Sequence, residues 1–151
     1  MSLIDLASSA SAWRGYDYCK SGKVKQFTKL DANHYEAFVS GTKANPYHVI
    51  IDLAHPRSSQ CDCSHANGKR IVCKHMVALY FTVFPEEANR YYKEVKEAEE
   101  EAEREQMRIE EALIDCVSGM KKDDLRQALL QILFEGPEWQ LDRFIREHRE
   151  E

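Results

Sequence analysis

The sequence predicts an α+β fold: a small antiparallel meander with a helix pinned against it, then a long helix and a C-terminal helical cluster. Three features predict it. Residues 23–54 alternate between apolar and polar side chains, which is typical of half-buried strands. Residues 61–75 concentrate cysteine and histidine just before an apolar helical stripe. Residues 86–148 repeat apolar side chains at helical spacing among many acidic ones.

Three segments read as the strands of the meander: "GKVKQFTKL", "HYEAFVSGT" and "YHVIIDLA". The buried face is expected to carry Tyr35, Ala37, Val39, Tyr47, Val49, Ile51 and Leu53. A sheet of three short strands is marginal by itself, so it needs a covering helix. The segment "CKHMVALYFTVF" supplies one, because Met76, Leu79, Tyr80 and Val83 share one helical face. A short helix within "SLIDLASSASAW" is undecided.

A long helix is predicted over residues 86–117, and its centre is charged nearly all round. One interpretation is a homodimeric coiled coil through 88–116. The other is a solvated helix that packs only at its ends, because Glu105 interrupts the apolar stripe. Two shorter helices follow: one capped by an Asp and stopped by Gly136, the other starting at Pro137. They are expected to fold back on Leu113, Ile114, Val117 and Met120.

Charge divides the chain into two parts. Residues 1–85 carry 10 Lys+Arg and 6 Asp+Glu, a balance of +4, whereas residues 86–151 carry 11 and 20, a balance of −9. This asymmetry predicts two domains with different partners, 1–85 and an acidic helical tail over 86–151.

The chain shows no sign of export or membrane insertion. No segment approaches the roughly 20 apolar residues of a membrane span, and the apolar N-terminal run lacks a basic start and is broken by Asp5. A cytoplasmic protein is therefore expected. The five cysteines are an odd number and three lie close together, so metal binding is favoured over a disulfide framework.

Cys61, Cys63, Cys73 and His75 form the pattern C-x-C-x9-C-x-H. Residues i and i+2 of an extended segment face the same side, and Asn67 with Gly68 can turn the chain back toward the first pair. Cys73 then lies at a helix start, where the dipole and Lys74 favour the thiolate. Four such ligands suit tetrahedral zinc. The alternative is unligated thiols or a strained disulfide.

The predicted zinc is structural, because four protein ligands leave no open position for a reacting water. No enzymatic activity is expected. His65 stays open as a replacement for His75, and His55 could also reach in. Cys19 and Cys116 are expected to be buried or idle thiols.

The ligand pattern followed by "CKHMVALYF" resembles the SWIM-type zinc finger, in its bacterial form, over roughly residues 12–84. "RGYDYCKSGKV", "VSGT" and "YHVIID" resemble segments that such proteins place before the first ligand pair. The resemblance implies a ββ–zinc–α finger, assigns zinc to the same four residues, and suggests a role in binding DNA or proteins.

Three functions are compatible with these features. The first is a protein-interaction adaptor with an unidentified partner. The second is nucleic-acid binding by the basic front, with these candidate phosphate contacts: Lys23, Lys25, Lys69, Arg70 and Lys74. Trp13, Tyr16 and Tyr18 could stack on bases, or they could belong to the core while the lysines and arginines only solubilise the surface. The third is a zinc-thiolate sensor, which requires labile zinc.

Overall fold

The computed structural model describes residues 2–149, which divide into two compact units between Glu97 and Ala98. Residues 2–97 are called the front unit and residues 98–149 the tail. The helices are α1 (Ser9–Lys20), α2 (Lys74–Val83), α3 (Pro85–Gly119), α4 (Lys122–Glu135) and α5 (Glu138–His148). The strands are β1 (Val24–Lys29), β2 (His34–Val39), β3 (Tyr47–Asp52) and β4 (Gln60–Cys61). The predicted α+β class is confirmed. A functional boundary at residue 85 stays a prediction.

The sheet is an antiparallel meander in the order β1-β2-β3-β4. The predicted buried face is confirmed: Val39, Val49 and Ile51 are fully buried, whereas Phe38 on the opposite face is 60% exposed. The fourth strand was not predicted, because two residues are too few to show alternation. It matters for function, since it pairs Cys61 with Val49.

α2 is buried on all sides. Every residue from His75 to Phe81 is buried, although the sequence predicted a single apolar face. The sheet covers one side and α1 covers the other. Gly15 allows this approach, because a Cβ at that position would lie 2.4 Å from Cβ of Val77. The front unit therefore has three layers: sheet, α2 and α1.

The start of α3 completes this core. Ala88 is 2% exposed, and Tyr91 packs against the same cluster. The rings of Trp13 and Tyr16 stack on Tyr92, with centroids 6.4 and 5.3 Å away. These aromatic side chains hold helices together, which supports the interpretation that they belong to the core.

In the tail, α4 and α5 contact each other. The predicted Asp cap of α4 is wrong: the cap is Lys121, without a side-chain hydrogen bond, and the acidic pair lies in the first turn. Gly136 ends α4 as predicted. The predicted burial of α3 side chains is also wrong, since Leu113, Ile114 and Val117 are 41–60% exposed. α4 and α5 contact each other and leave these side chains of α3 uncovered.

Between residues 2 and 149, no helix combines the length and the apolar character needed to cross a membrane.

Candidate metal centre

Four side chains predicted as metal ligands meet at the edge of the sheet and the start of α2. Cys61 ends β4, and Cys63 follows it in the next loop. Cys73 is the residue that caps the N-terminus of α2, and His75 lies in the first turn. All four are buried, with 1–4% of their surface exposed. A sheet edge and a helix start are both well packed, so the ligands are held on rigid elements.

The loop between the two ligand pairs is built from tight turns. The backbone N–H groups of Ala66 and Asn67 both donate to the carbonyl of Cys63, at 3.0 and 2.9 Å. Gly68 adopts a φ of +69°, a conformation that glycine reaches without a steric penalty. Val72 then pairs with Ala7 in an isolated bridge. These contacts return the chain to the first pair, as the turn residues predicted.

The ligand atoms lie close enough together for one metal ion, and two of the distances between them match a tetrahedral zinc. The three Sγ atoms and a ring nitrogen of His75 all lie within 4.8 Å of one another. Nδ1 of His75 is 3.7 Å from Sγ of Cys61 and 3.8 Å from Sγ of Cys73. Bonds of about 2.3 Å to sulfur and 2.0–2.1 Å to nitrogen place neighbouring ligands of a tetrahedral zinc roughly 3.5–3.8 Å apart. The cluster can therefore hold a metal ion.

The surroundings of the Cys73 thiol favour the thiolate, which is the form that binds a metal. The hydrogen bond from Cys61 lowers the pKa of the Cys73 thiol, and the ring of His75 and the N–H groups at the start of α2 lower it further. The same bond, together with burial, raises the pKa of Cys61. The lowered pKa of Cys73 agrees with its predicted place at a helix start, where the helix dipole favours the thiolate. Lys74 donates instead to the hydroxyl of Tyr18, at 2.8 Å.

Aromatic packing orients the His75 ring. Tyr47 stacks on it with centroids 4.3 Å apart, and Tyr18 meets it edge-on at 5.6 Å. With Nδ1 turned to the thiols, Nε2 is buried and has no hydrogen-bond partner within residues 2–149. A metal-binding histidine usually donates its second N–H to an oxygen; here two tyrosines fix the ring instead. Sequence reasoning missed this contact, because nothing in the local pattern links Tyr47 or Tyr18 to His75.

The spare histidines lie outside the cluster. His65 is exposed on the loop after Cys63, so the structure does not bring it into the ligand set. The side chain of His55 is 80% exposed and faces Asp52, with Nδ1 3.6 Å from Oδ2. Cys19 is partly buried and accepts a hydrogen bond from the Thr82 hydroxyl at 3.5 Å, and Cys116 is an exposed free thiol.

The predicted phosphate contacts do not form one group. Lys69 and Arg70 line a cavity of about 500 Å³ together with Arg57. Lys25 lines a different cavity, and Lys74 is partly buried against Tyr18. Lys23 is exposed just before β1. Of the five, Lys69 and Arg70 therefore share a concave surface.

Comparison with known families adds one finding. Residues 47–84 match the family model of the SWIM zinc finger, a segment that contains β3, β4, α2 and the four clustered residues. Comparison of the chain with curated proteins and with solved structures gave no match. The match confirms the resemblance predicted from the ligand pattern: residues 47–84 are similar to the SWIM zinc finger, and the predicted resemblance of residues 12–46 stays a prediction.

Proposed function

We propose that the chain is a protein-interaction adaptor whose front unit is held by structural zinc and which has no enzymatic activity. Cys61, Cys63, Cys73 and His75 are the proposed zinc ligands. Three thiolates and one imidazole form a set typical of structural zinc. Their near-complete burial supports a closed site, because a catalytic zinc keeps one position open to water and substrate. Burial also speaks against a sensor with labile zinc.

One observation supports the adaptor role: most of the large apolar side chains in the tail are exposed. Twelve large apolar side chains between residues 107 and 145 are 39–73% exposed. Soluble monomers seldom leave such extended apolar surfaces in water, and those that persist usually mark interaction sites. The zinc-held front would then be the rigid part and the tail the part that binds.

A two-step binding experiment tests this role. The full chain is used as bait, and the proteins that it retains are purified and titrated against the native chain and against an Ile114→Glu variant. The proposal expects a purified partner whose affinity falls at least about 30-fold with Ile114→Glu, as for a contact worth about 2 kcal/mol. Ser118→Glu is the matched control: it adds the same charge at an exposed polar position of α3. A partner that binds both variants equally would contradict the role of the tail.

Nucleic-acid binding by the front unit is the second candidate, favoured by the shared cavity of Arg57, Lys69 and Arg70. Binding through phosphate contacts would weaken steeply as salt rises. Titration of single- and double-stranded DNA at low and high salt tests it, with Lys69→Ala/Arg70→Ala as the informative variant. Absence of binding at low salt rules the candidate out.

A cytoplasmic location is part of the proposal. It is supported by the five cysteines, all of which are free thiols, since reduced thiols persist in the cytosol and are oxidised in exported proteins.

A further inference from the structure

The helical hairpin formed by α4 and α5 lacks a core of its own. Leu133 is its one buried large apolar side chain, at 5% exposure. Seven others are 39–73% exposed: Leu125, Leu129, Leu130, Ile132, Phe134, Trp139 and Ile145. Two helices that bury so little gain too little free energy to hold a fixed arrangement in water. Something must cover this surface.

The apolar arc of α4 is wider than one neighbouring helix can cover. Leu133 lies at its centre and is buried. At 100° per residue, Leu125, Leu129 and Ile132 fall on one side of it, and Leu130 and Phe134 fall on the other. A helix with two helical neighbours needs such an arc, whereas a helix with one neighbour needs a narrower stripe. The pattern suits a four-helix bundle, in which every helix has two neighbours.

The amount of exposed surface matches what a stable dimer needs. The seven side chains leave roughly 750 Å² uncovered, if a large apolar or aromatic side chain has about 150–250 Å² in all. A standard protein interface takes about 800 Å² from each partner. One α4–α5 hairpin therefore presents about one partner's share of an interface.

The charge balance of the hairpin allows a second copy as the occupant, and that of the preceding segment does not. Residues 119–149 carry six Lys+Arg and six Asp+Glu, a balance of zero, so two hairpins do not repel each other. Several charges are already paired within one helix, as Arg143 with Glu147 at 2.8 Å and Arg126 with Asp123 at 3.5 Å. Residues 98–118 instead carry two Lys+Arg and eight Asp+Glu, a balance of −6. Two copies aligned along that segment would repel each other.

We propose that the α4–α5 hairpins of two chains associate into an antiparallel four-helix bundle. The inference rests on the proposed role of the tail as an interaction surface, and it assigns the α4–α5 part of that surface to a second copy of this chain. The exposed side chains of α3 remain for another protein. The inference also relocates the dimer contact expected through 88–116, because Ala88 and Tyr91 pack in the core of their own chain.

Sedimentation velocity of the full chain over a wide dilution series tests the proposal. We expect twice the chain mass, and dissociation to monomers with Ile132→Glu, whose dimer Kd should rise at least about 30-fold. Gln127→Glu is the matched control: it places the same charge at an exposed polar position of α4 and should leave the dimer intact. Circular dichroism checks that both variants keep their helices.

Two results would overturn the proposal. One is a native chain that stays monomeric at every concentration. The other is a dimer that survives Ile132→Glu but dissociates with Ala102→Glu, which would place the contact on α3. The adaptor role is judged separately. A monomer that still binds a purified partner through its tail overturns the bundle alone, and a dimer that binds no other protein overturns the adaptor alone.

Discussion

The front unit and the tail of this chain differ in how far they bury their apolar side chains. In the front unit, Val39, Val49, Ile51 and seven consecutive residues of α2 are buried between two layers. In the tail, the amphipathic helices leave most of their large apolar side chains in water. The apolar pattern of the front unit is therefore covered within the chain itself, beside the cluster that can hold a metal ion. The apolar pattern of the tail is left uncovered within residues 98–149.

The largest effect should come from the metal ligands. Cys61→Ser and Cys73→Ser should each abolish stoichiometric zinc and lower the unfolding free energy by several kcal/mol, because binding energy at a structural zinc site is folding energy. Metal analysis and thermal unfolding measure both effects. Cys116→Ser is the matched control, since that thiol is exposed in the tail. Full zinc content and unchanged stability in both ligand variants would contradict the assignment.

A pair of leucines offers the next test of the comparison. Leu79 is fully buried in α2, whereas Leu113 in α3 is 60% exposed. Leu79→Ala should cost about 2–5 kcal/mol through lost contacts and a cavity, while Leu113→Ala should change the monomer's stability by less than about 0.5 kcal/mol. Denaturant unfolding of both variants checks this. Equal losses would show that the tail has a core after all.

How well the sequence predicts each region depends on whether the interactions that form it lie within one short segment or join distant segments. Strands β2 and β3 and the ligands at 61–75 were predictable, because alternation and ligand spacing are local signals. α1 was not, because its segment "SASAWRGYDYCK" contains serines and a glycine that form helices poorly in isolation. Its helix is stabilised by packing on α2. The orientation of His75 by Tyr47 depends on a contact 28 positions apart in sequence, which no local pattern encodes.

The tail was predictable in its helices but not in its packing. Periodicity located α3, α4 and α5 within a few residues, but it does not reveal whether an apolar face meets its own chain or another. The fold-back onto Leu113 and Ile114 was inferred from the apolar faces alone, and the structure leaves both side chains exposed. An amphipathic pattern specifies that a surface must be covered and does not specify by which chain.

Gly15 in the front unit and Gly119 in the tail test the same difference in packing. A Cβ at Gly15 would meet Cβ of Val77 at 2.4 Å and the carbonyl oxygen of Lys74 at 2.9 Å, whereas a Cβ at Gly119 would meet nothing within 4 Å. Gly15→Ala should therefore destabilise the front by about 1–3 kcal/mol through overpacking between α1 and α2. Gly119→Ala should be neutral or slightly stabilising. Thermal unfolding of the two variants decides, and a neutral Gly15→Ala would show that α1 does not press on α2.

The smallest expected effect is a pH dependence that belongs to the front. His34, at the start of β2, contacts two carboxylates: its Nδ1 lies 2.8 Å from Asp31 in the preceding turn, and its Nε2 lies 3.4 Å from Asp52 at the end of β3. The hydrogen bond with Asp31 raises the pKa of His34 above its usual 6.5. Backbone N–H donation from Asn33 and the bond to His34 lower the pKa of Asp31. Burial works to raise the pKa of Asp52, but hydrogen bonds and the neighbouring histidines outweigh it and leave the pKa lowered.

The directions of these pKa shifts define the pH range in which the contacts of His34 stabilise the fold. A raised histidine pKa contributes stability that is complete below about 6.5 and is lost as pH rises through the folded-state pKa. Lowered aspartate pKa values contribute stability above about 3.9 that is lost on acidification. The contribution is therefore complete between these limits, and stability should decline from about pH 6 to pH 8. The decline in stability on the basic side is the informative part of the pH profile, because the tail's paired acid, Glu147, has a lowered pKa and stays ionised there.

His34→Gln should flatten this decline in thermal unfolding measured at a series of pH values, and it should leave the zinc content unchanged. An unaltered slope would show that His34 does not link Asp31 to Asp52.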